Sequence, residues 1–454
     1  MDTPICDYVR RYAANDPIRL HMPGHKGRAV LGPEAMDITE IPGADVLYDS
    51  AGIIRQSEEN AAGLFGAART IYSAEGSSLC IRAMLYLALL YAKSIGRRPL
   101  IAAGRNAHKV FVSAAALLDM DIQWLYPPKG SRSIISCPID AHTLEETLRD
   151  AEDIPAAVYI TSPDYLGECA DIAALAEVCR RYGVLLLVDN AHGAYLRFLP
   201  RSVHPMDQGA DLCCDSAHKT LPVLTGGAYL HFSHRCPPEL ISMGDQAMGL
   251  FASTSPSYLI LQSLDLANRY LAGDYPRRLL ETAGRVSDLR DSLRQNGWTI
   301  SGQEPLKLTL CPKANGYTGE ELAARLRGNN IFCEFSDPDF LVFMFTPETA
   351  PESYDLLRGV LLSTPRRAPI MQAPPMMDTP VQAISPRQAL LSPRESVPTR
   401  ESEGRILAVP NVSCPPAVPI VVCGERIDAS AVRLLSYYGI ESCEVVKGPP
   451  SFCY

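Results

Sequence analysis

The sequence predicts an α/β protein: a mostly parallel, doubly wound sheet, then a small α+β domain and a separate C-terminal segment. Three observations carry this expectation. Strand-like and helix-like stretches alternate from about residue 70 to residue 230. The run Val184-Leu185-Leu186-Leu187-Val188 is apolar throughout and closes on Asp189, as a strand buried on both faces does. Proline density rises between Thr364-Pro365-Arg366-Arg367 and Thr379-Pro380, which sets the last segment apart. The resulting divisions are an arm at 1–45, a large domain at 46–275 and a small domain at 276–365, then a linker at 366–382 and a tail at 383–454.

The arm holds His21-Met22-Pro23-Gly24-His25-Lys26-Gly27-Arg28, whose two Gly, one Pro and two His favour a rigid loop over a helix or strand; a plain polar turn also explains it. Ile54 to Ala67 is amphipathic and predicts a helix. Ile71-Tyr72-Ser73 predicts a strand, Glu75-Gly76-Ser77-Ser78 a turn, and Leu79 to Leu90 a strong helix. The start of that helix would present unpaired N–H groups, with Ser77 and Ser78 adding hydroxyls, which suits a phosphate. An ordinary serine N-cap accounts for one of the two serines as well.

Pro99 to Ala103 predicts a strand leading into Arg105-Asn106-Ala107-His108-Lys109. His108 is either a satisfied polar residue or a ring able to stack on a flat cofactor. Ala156 to Ile160 is a further strand, ending in Thr161-Ser162-Pro163-Asp164-Tyr165-Leu166-Gly167, and Asp171 opens a helix to Tyr182. After the Asp189 strand come Gly209 to Cys214 and Leu224 to Leu230, both apolar. The hydroxyl-rich Ser253-Thr254-Ser255-Pro256-Ser257 opens a helix from Leu259 to about Leu271, and charge-rich helical sequence continues to Gln295. Leu306 to Leu310, Ile331 to Phe335 and Phe340 to Phe345 predict strands, with a helix at Gly319–Arg327. In the tail, Cys414-Pro415-Pro416 precedes Cys423-Gly424-Glu425-Arg426-Ile427.

The chemistry centres on Asp215-Ser216-Ala217-His218-Lys219-Thr220. A lysine set between apolar runs is costly unless it is paired or reactive. One chemistry uses such an amine directly, the covalent capture of the aldehyde of pyridoxal phosphate. Asp189, thirty positions upstream, would stand at the carboxyl end of a buried strand, where ligands sit in open α/β sheets. A carboxylate there can hold a protonated pyridine nitrogen.

Composition narrows the alternatives. Hydrophobic residues make up 47% and charged residues 20%, the balance of an ordinary globular enzyme. A net charge of −9 and the lack of a basic run weigh against nucleic acid or a lipid surface as partner. Met1-Asp2-Thr3-Pro4-Ile5 resembles no signal peptide and no apolar stretch reaches eighteen residues, so a cytoplasmic protein without membrane spans is expected. The 14 cysteines include no CxxC pair; reduced thiols and no metal site are expected.

Taken together, these motifs resemble the prokaryotic ornithine/lysine/arginine decarboxylases, and the likeness runs nearly end to end. It includes the His21–Arg28 loop, Gly76-Ser77-Ser78, Arg105 to Lys109, Ser162 to Gly167, Asp189 with Ala191-His192-Gly193, Ser216 to Lys219, Ser253 to Tyr258 and the Pro-Pro…Gly-Glu-Arg-Ile tail. The length resembles the short form of the family.

The resemblance implies a fold-type I, aspartate-aminotransferase-like large domain with a seven-stranded type of sheet. It implies pyridoxal phosphate as cofactor and a lysine, arginine or ornithine substrate decarboxylated to an amine of polyamine biosynthesis. Lys219 would carry the cofactor, Asp189 pair with the ring nitrogen, His108 stack on the ring and Ala191 pack on its other face. Gly76, Ser77, Ser78, Ser216 and His218 would surround the phosphate, His192 would lie near the substrate, and Thr254 would reach across a homodimer. Lys219 or His218 would return the proton that replaces CO2. Glu425 would read the substrate's distal cation, or else pair with Arg426 or face water.

Two positions depart from the family: Asn190, where an acid is usual, and Thr220-Leu221-Pro222, where small residues are. The competing readings are another reaction type on the same fold and a catalytically silent cofactor-binding protein. The whole-chain likeness weighs against the first, and retention of both Lys219 and Asp189 against the second.

Overall fold

The computed structural model describes residues 1–127, 135–410 and 418–448, so Cys414-Pro415-Pro416 lies outside the described residues. The large sheet has seven strands: β1 (Arg69–Ser73), β2 (Leu100–Gly104), β3 (Asp121–Leu125), β4 (Ala157–Thr161), β5 (Leu185–Asp189), β6 (Leu212–Asp215) and β7 (Ala228–Phe232). The chain forms two compact units, residues 1–95 with 172–280, and residues 96–171 with 281–454.

In the first unit the strand order is β1-β7-β6-β5. β5 and β6 are parallel, with Asp189 opposite Cys214, while β7 runs antiparallel to both β6 and β1. β5 is buried along its whole length, as its unbroken apolar run requires. Helices Ile53–Phe65, Ser77–Ser94, Ile172–Tyr182 and Tyr258–Leu271 lie within a few residues of their predicted bounds. The His21–Arg28 loop forms no helix or strand, and an unpredicted helix, Pro4–Ala14, precedes it.

Glu58, inside helix Ile53–Phe65, is buried where it accepts the Tyr72 N–H at 3.0 Å. Burial pushes its carboxyl up to about 8, against the lowering effect of that bond. A folded-state value above the ordinary 4.5 means that its contribution to stability is complete below about pH 4.5. That contribution is lost as pH rises through about 8. Glu58→Gln keeps the acceptor and removes the titration. We expect it to raise Tm by several degrees at pH 8, with the gain shrinking toward pH 4.5. Thermal melts of both proteins across that range check the sign; a pH-independent difference would refute it.

In the second unit β4, β2 and β3 are parallel, in that order. β3 was not expected, because Asp121-Ile122-Gln123-Trp124-Leu125 mixes polar and apolar residues and is only half-buried. A second sheet contains β8 (Ile300–Ser301), β9 (Lys307–Leu310), β10 (Phe335–Ser336) and β11 (Leu341–Met344) in the order β10-β11-β9-β8. The strand expected over Ile331–Phe335 is a correction. Its ladder with β11 begins only at Phe335; before it Glu334 gives one N–H bond to the Val342 carbonyl, and Phe332 is exposed. Helix Gly319–Arg327 appears as predicted, with Thr318 and Glu321 forming a capping box.

The Pro-rich residues after Ser363 form no helix or strand, but they are not loose. Arg367 N–H bonds the Asn315 carbonyl, Ile370 N–H bonds that of Lys313, and the Arg367 guanidinium lies 4.2 Å from the Tyr317 ring centre. The tail pairs β12 (Arg394–Pro398) with β13 (Ser442–Val446) and packs helix Ala429–Tyr437 over Leu407, Ile420, Val421 and Val445. Among the described residues, no helix is long and apolar enough to cross a membrane.

Candidate active site

The carboxyl ends of β5 and β6 bring most of the predicted residues together in the first unit. β6 ends at Asp215 and turns directly into the single-turn helix Ala217–Thr220, which carries His218 and Lys219. The Lys219 amine is 3.0 Å from His192 Nε2. His192 is buried and Lys219 is half-buried, so the amine is not sealed in the core.

Asp189 ends β5 and is 3% exposed. Its Oδ1 accepts the Ala191 N–H at 3.2 Å and the Cys214 thiol at 3.7 Å. Burial, and then the Asp189 charge, push that thiol well up, so it stays a donor.

Beside these strands, Gly76 caps helix Ser77–Ser94 in a backbone conformation with φ +71° that favours glycine. No side chain caps this helix, and with the Leu79 N–H bonded to the Gly76 carbonyl it is the Ser77 and Ser78 N–H groups that would face a ligand. Ser216 donates its hydroxyl to Ser77 Oγ at 2.8 Å. His218 Nδ1 donates to the Gly227 carbonyl at 2.9 Å, and its Cε1 would lie 4.0 Å from a Cβ on Gly76.

N–H groups at a helix start, two hydroxyls and an imidazole in one place are the donor set of a phosphate cradle. With an amine and a carboxylate nearby, these residues fit pyridoxal phosphate. Thr254 is exposed on the loop before helix Tyr258–Leu271, where the neighbouring Ser253 N–H bonds Glu75 of the same chain at 2.7 Å.

Three residues of this region, Asp215, His204 and His231, were given no role in the sequence. Asp215 is fully buried, and its Oδ2 accepts from His204 Nε2 at 2.9 Å and His231 Nε2 at 3.2 Å. Its Oδ1 accepts from the Asn190 amide at 2.6 Å. Burial opposes ionisation, but the two histidines and their hydrogen bonds outweigh it and hold the Asp215 carboxyl well below its usual range.

Two histidines and a carboxylate so close resemble a metal site. His204 Nδ1, however, accepts the Met206 N–H, so the ring's proton sits on Nε2, between it and Asp215. The cluster therefore reads as a hydrogen-bonded support for the end of β6.

It also gives the Asn190 departure a physical reason. An acid at 190 would set a second negative charge against Asp215, whereas the amide donates to it. Gly193 follows from the same packing, since a Cβ there would collide with the Asn190 side chain. In the other departure, Leu221 N–H closes the lysine turn on the Ala217 carbonyl at 2.8 Å and the Leu221 side chain is buried. A polar residue inside an otherwise apolar strand, as at His231, was the available signal.

His108 and Glu425 belong to the second unit. His108 caps helix Lys109–Leu117, accepting the Val110 N–H on Nδ1 at 3.2 Å. The alternative reading of Glu425 is the second correction: it neither faces water nor pairs with Arg426, because it is buried against the chain's own Arg105. The Nη1–Oε1 and Nη2–Oε2 distances are 2.8 and 2.7 Å. Arg426 instead donates to the Gly404 carbonyl.

Comparison with known proteins places this geometry. The family model for the Orn/Lys/Arg decarboxylase major domain matches residues 3–312, and that for the family's C-terminal domain matches residues 368–449. An arginine decarboxylase of Halalkalibacterium halodurans is 30% identical, covering 94% of this chain and 91% of its own. An arginine decarboxylase of Bacillus subtilis is 28% identical over 99% of this chain and 96% of its own. Among solved structures, the lysine decarboxylase LdcF of Francisella novicida superposes with a TM-score of 0.78. It is 18% identical, covers 98% of this chain and 81% of its own, and shares the fold. The chain belongs to the Orn/Lys/Arg decarboxylase family.

Proposed function

We propose that this chain is a pyridoxal-phosphate-dependent decarboxylase that converts a basic amino acid (lysine, arginine or ornithine) to the corresponding amine and CO2, a step of polyamine biosynthesis. The observation that carries the reading is the Lys219 amine, 3.0 Å from His192, at the strand ends that also hold Asp189 and the uncapped start of helix Ser77–Ser94. When bound, pyridoxal phosphate supplies an electron-accepting ring that takes up the electrons of the broken Cα–carboxylate bond.

The residues have separate tasks. Lys219 holds the cofactor covalently, and His192 orients its amine. Asp189 keeps the ring nitrogen protonated, while His108 and Ala191 hold the two ring faces. Gly76, Ser77, Ser78, Ser216 and His218 hold the phosphate. Lys219 or His218 delivers the proton that takes the place of CO2.

The test is to load the protein with pyridoxal phosphate, supply each of the three amino acids separately, and identify the amine released. Agmatine, cadaverine or putrescine supports the reading and names the substrate. No CO2 release from any of the three overturns it.

We further propose a homodimer in which Thr254 contributes to the partner's phosphate site. Mixing inactive Lys219→Ala protein with an inactive Thr254→Arg variant is then expected to restore part of the activity, because one hybrid site has both residues intact. Ser253 bonds its own chain's Glu75, which is the arrangement a site made within one chain would use, so the mixture is decisive. No recovery from chains shown to exchange would place Thr254 in its own chain's site.

A further inference from the structure

Arg105 and Glu425 are 320 positions apart, yet they form one of the most buried ion pairs among the described residues, with side chains 6% and 1% exposed. The pair is bidentate, and the remaining polar contacts come from the same segment of the tail. Arg105 Nη2 also donates to the Ile420 carbonyl at 3.0 Å, and Glu425 Oε2 accepts the Val422 N–H at 2.8 Å. On the other side the guanidinium lies 4.7 Å from the Trp124 ring centre and 5.9 Å from that of Tyr126. Such enclosure fixes the Arg105 side chain in one position.

Three residues later stands His108, the N-cap of helix Lys109–Leu117. The far end of that helix is held by the tail as well. Arg387, in the short helix Pro386–Leu390, donates to the Leu117 carbonyl at 2.8 Å and lies 4.0 Å from Asp119. A cation at the last carbonyls of a helix is favourably placed. The segment from Arg105 to Leu117 is thus gripped at both ends by one domain.

We infer that the tail is a clamp for this segment, and that Glu425 is a positioning residue that sets His108 through Arg105 and does not bind the substrate. The inference rests on the proposed pyridoxal phosphate site, in which His108 stacks on the ring. A buried carboxylate whose two oxygens already hold an arginine and a backbone N–H has little capacity left for a second cation. Removing its charge would strand the buried guanidinium, which must then move or draw in water, and the loop carrying His108 would move with it.

The experiment compares wild type, Glu425→Gln and the paired variant Arg105→Met/Glu425→Met, all as full chains. Three quantities are read: pyridoxal phosphate affinity by titration of the apoprotein, the visible circular dichroism of the bound cofactor, and KM for the amino acid that wild type turns over. Positioning predicts that Glu425→Gln weakens cofactor affinity about tenfold and lowers the visible dichroism, with KM changed by less than about twofold. The paired variant replaces the ion pair by apolar side chains of similar volume, so it is expected to regain most of the affinity and the dichroic band. A merely structural pair would leave the visible band of the folded, loaded protein unchanged.

The inference is overturned if Glu425→Gln keeps wild-type affinity and dichroism while KM rises about tenfold, for Glu425 is then a substrate ligand. It is equally overturned if the paired variant folds but regains neither property. If Glu425→Gln does not fold, the paired variant decides alone. Should wild type itself take up no pyridoxal phosphate, the proposed function fails and not the clamp.

Discussion

Lys219→Ala is expected to abolish turnover of every basic amino acid, by about a thousandfold or more, while leaving the fold intact. The turn that carries Lys219 depends on backbone bonds, Lys219 N–H to Ser216 and Leu221 N–H to Ala217, and on the buried Leu221 side chain. None of these needs the amine. What the substitution removes is the one primary amine in the first unit that lies against a buried histidine at the strand ends. The wild-type protein should be yellow, and borohydride should fix the cofactor to the peptide containing Lys219. In Lys219→Ala the cofactor should come away on dialysis, because Ser77, Ser216 and His218 can still hold its phosphate but nothing holds its aldehyde. Label on another lysine, or residual turnover near wild type, would remove the assignment.

That prediction was legible in the sequence because two motifs in fixed order constrain each other. An apolar run ending in Asp189 and a lysine after a second buried segment require adjacent parallel strands to act together, and the register of Asp189 with Cys214 provides this. The proposed cradle had a local signal too. Two small hydroxylated residues at the start of a strong helix suit either a serine N-cap or a ligand, and the helix has Gly76 as its N-cap and no side-chain cap.

Other parts were not legible, each for a physical cause. The partners of Asp215 come from a loop at 204, strand β7 and the turn at 190, and side chains from separate elements leave no local spacing to read. Glu425 is a further case. Its carboxylate pairs with Arg105, a cation from 320 positions away that no local spacing announces. Short or half-buried strands such as β3 and β8 lack the alternation that pattern reading relies on. At Ile331–Phe335 the pattern was present but the chain joins the sheet late: β11 continues to Met344, yet its ladder with this segment covers only Phe335 and Ser336.

Asp189→Asn is expected to keep the fold and much of the cofactor while lowering kcat by about a hundred- to a thousandfold. Asparagine has nearly the same shape, and its carbonyl oxygen can still accept the Ala191 N–H that holds the wild-type side chain at 3.2 Å. The strand around it, buried from Leu185 onward, is unaffected by the change. Only the negative charge is lost, and with it the group that keeps a pyridine nitrogen protonated inside a site of low dielectric constant. An unprotonated ring accepts electrons poorly, so the cost falls on the step that breaks the Cα–carboxylate bond, and kcat should fall far more than KM rises. A structural Asp189 predicts the reverse pattern: a lower Tm, loss of cofactor and near-normal kcat in whatever fraction remains loaded. Measuring kcat per bound cofactor, alongside the melting temperature, separates the two. Turnover per cofactor close to that of wild type would leave Asp189 without an electronic role.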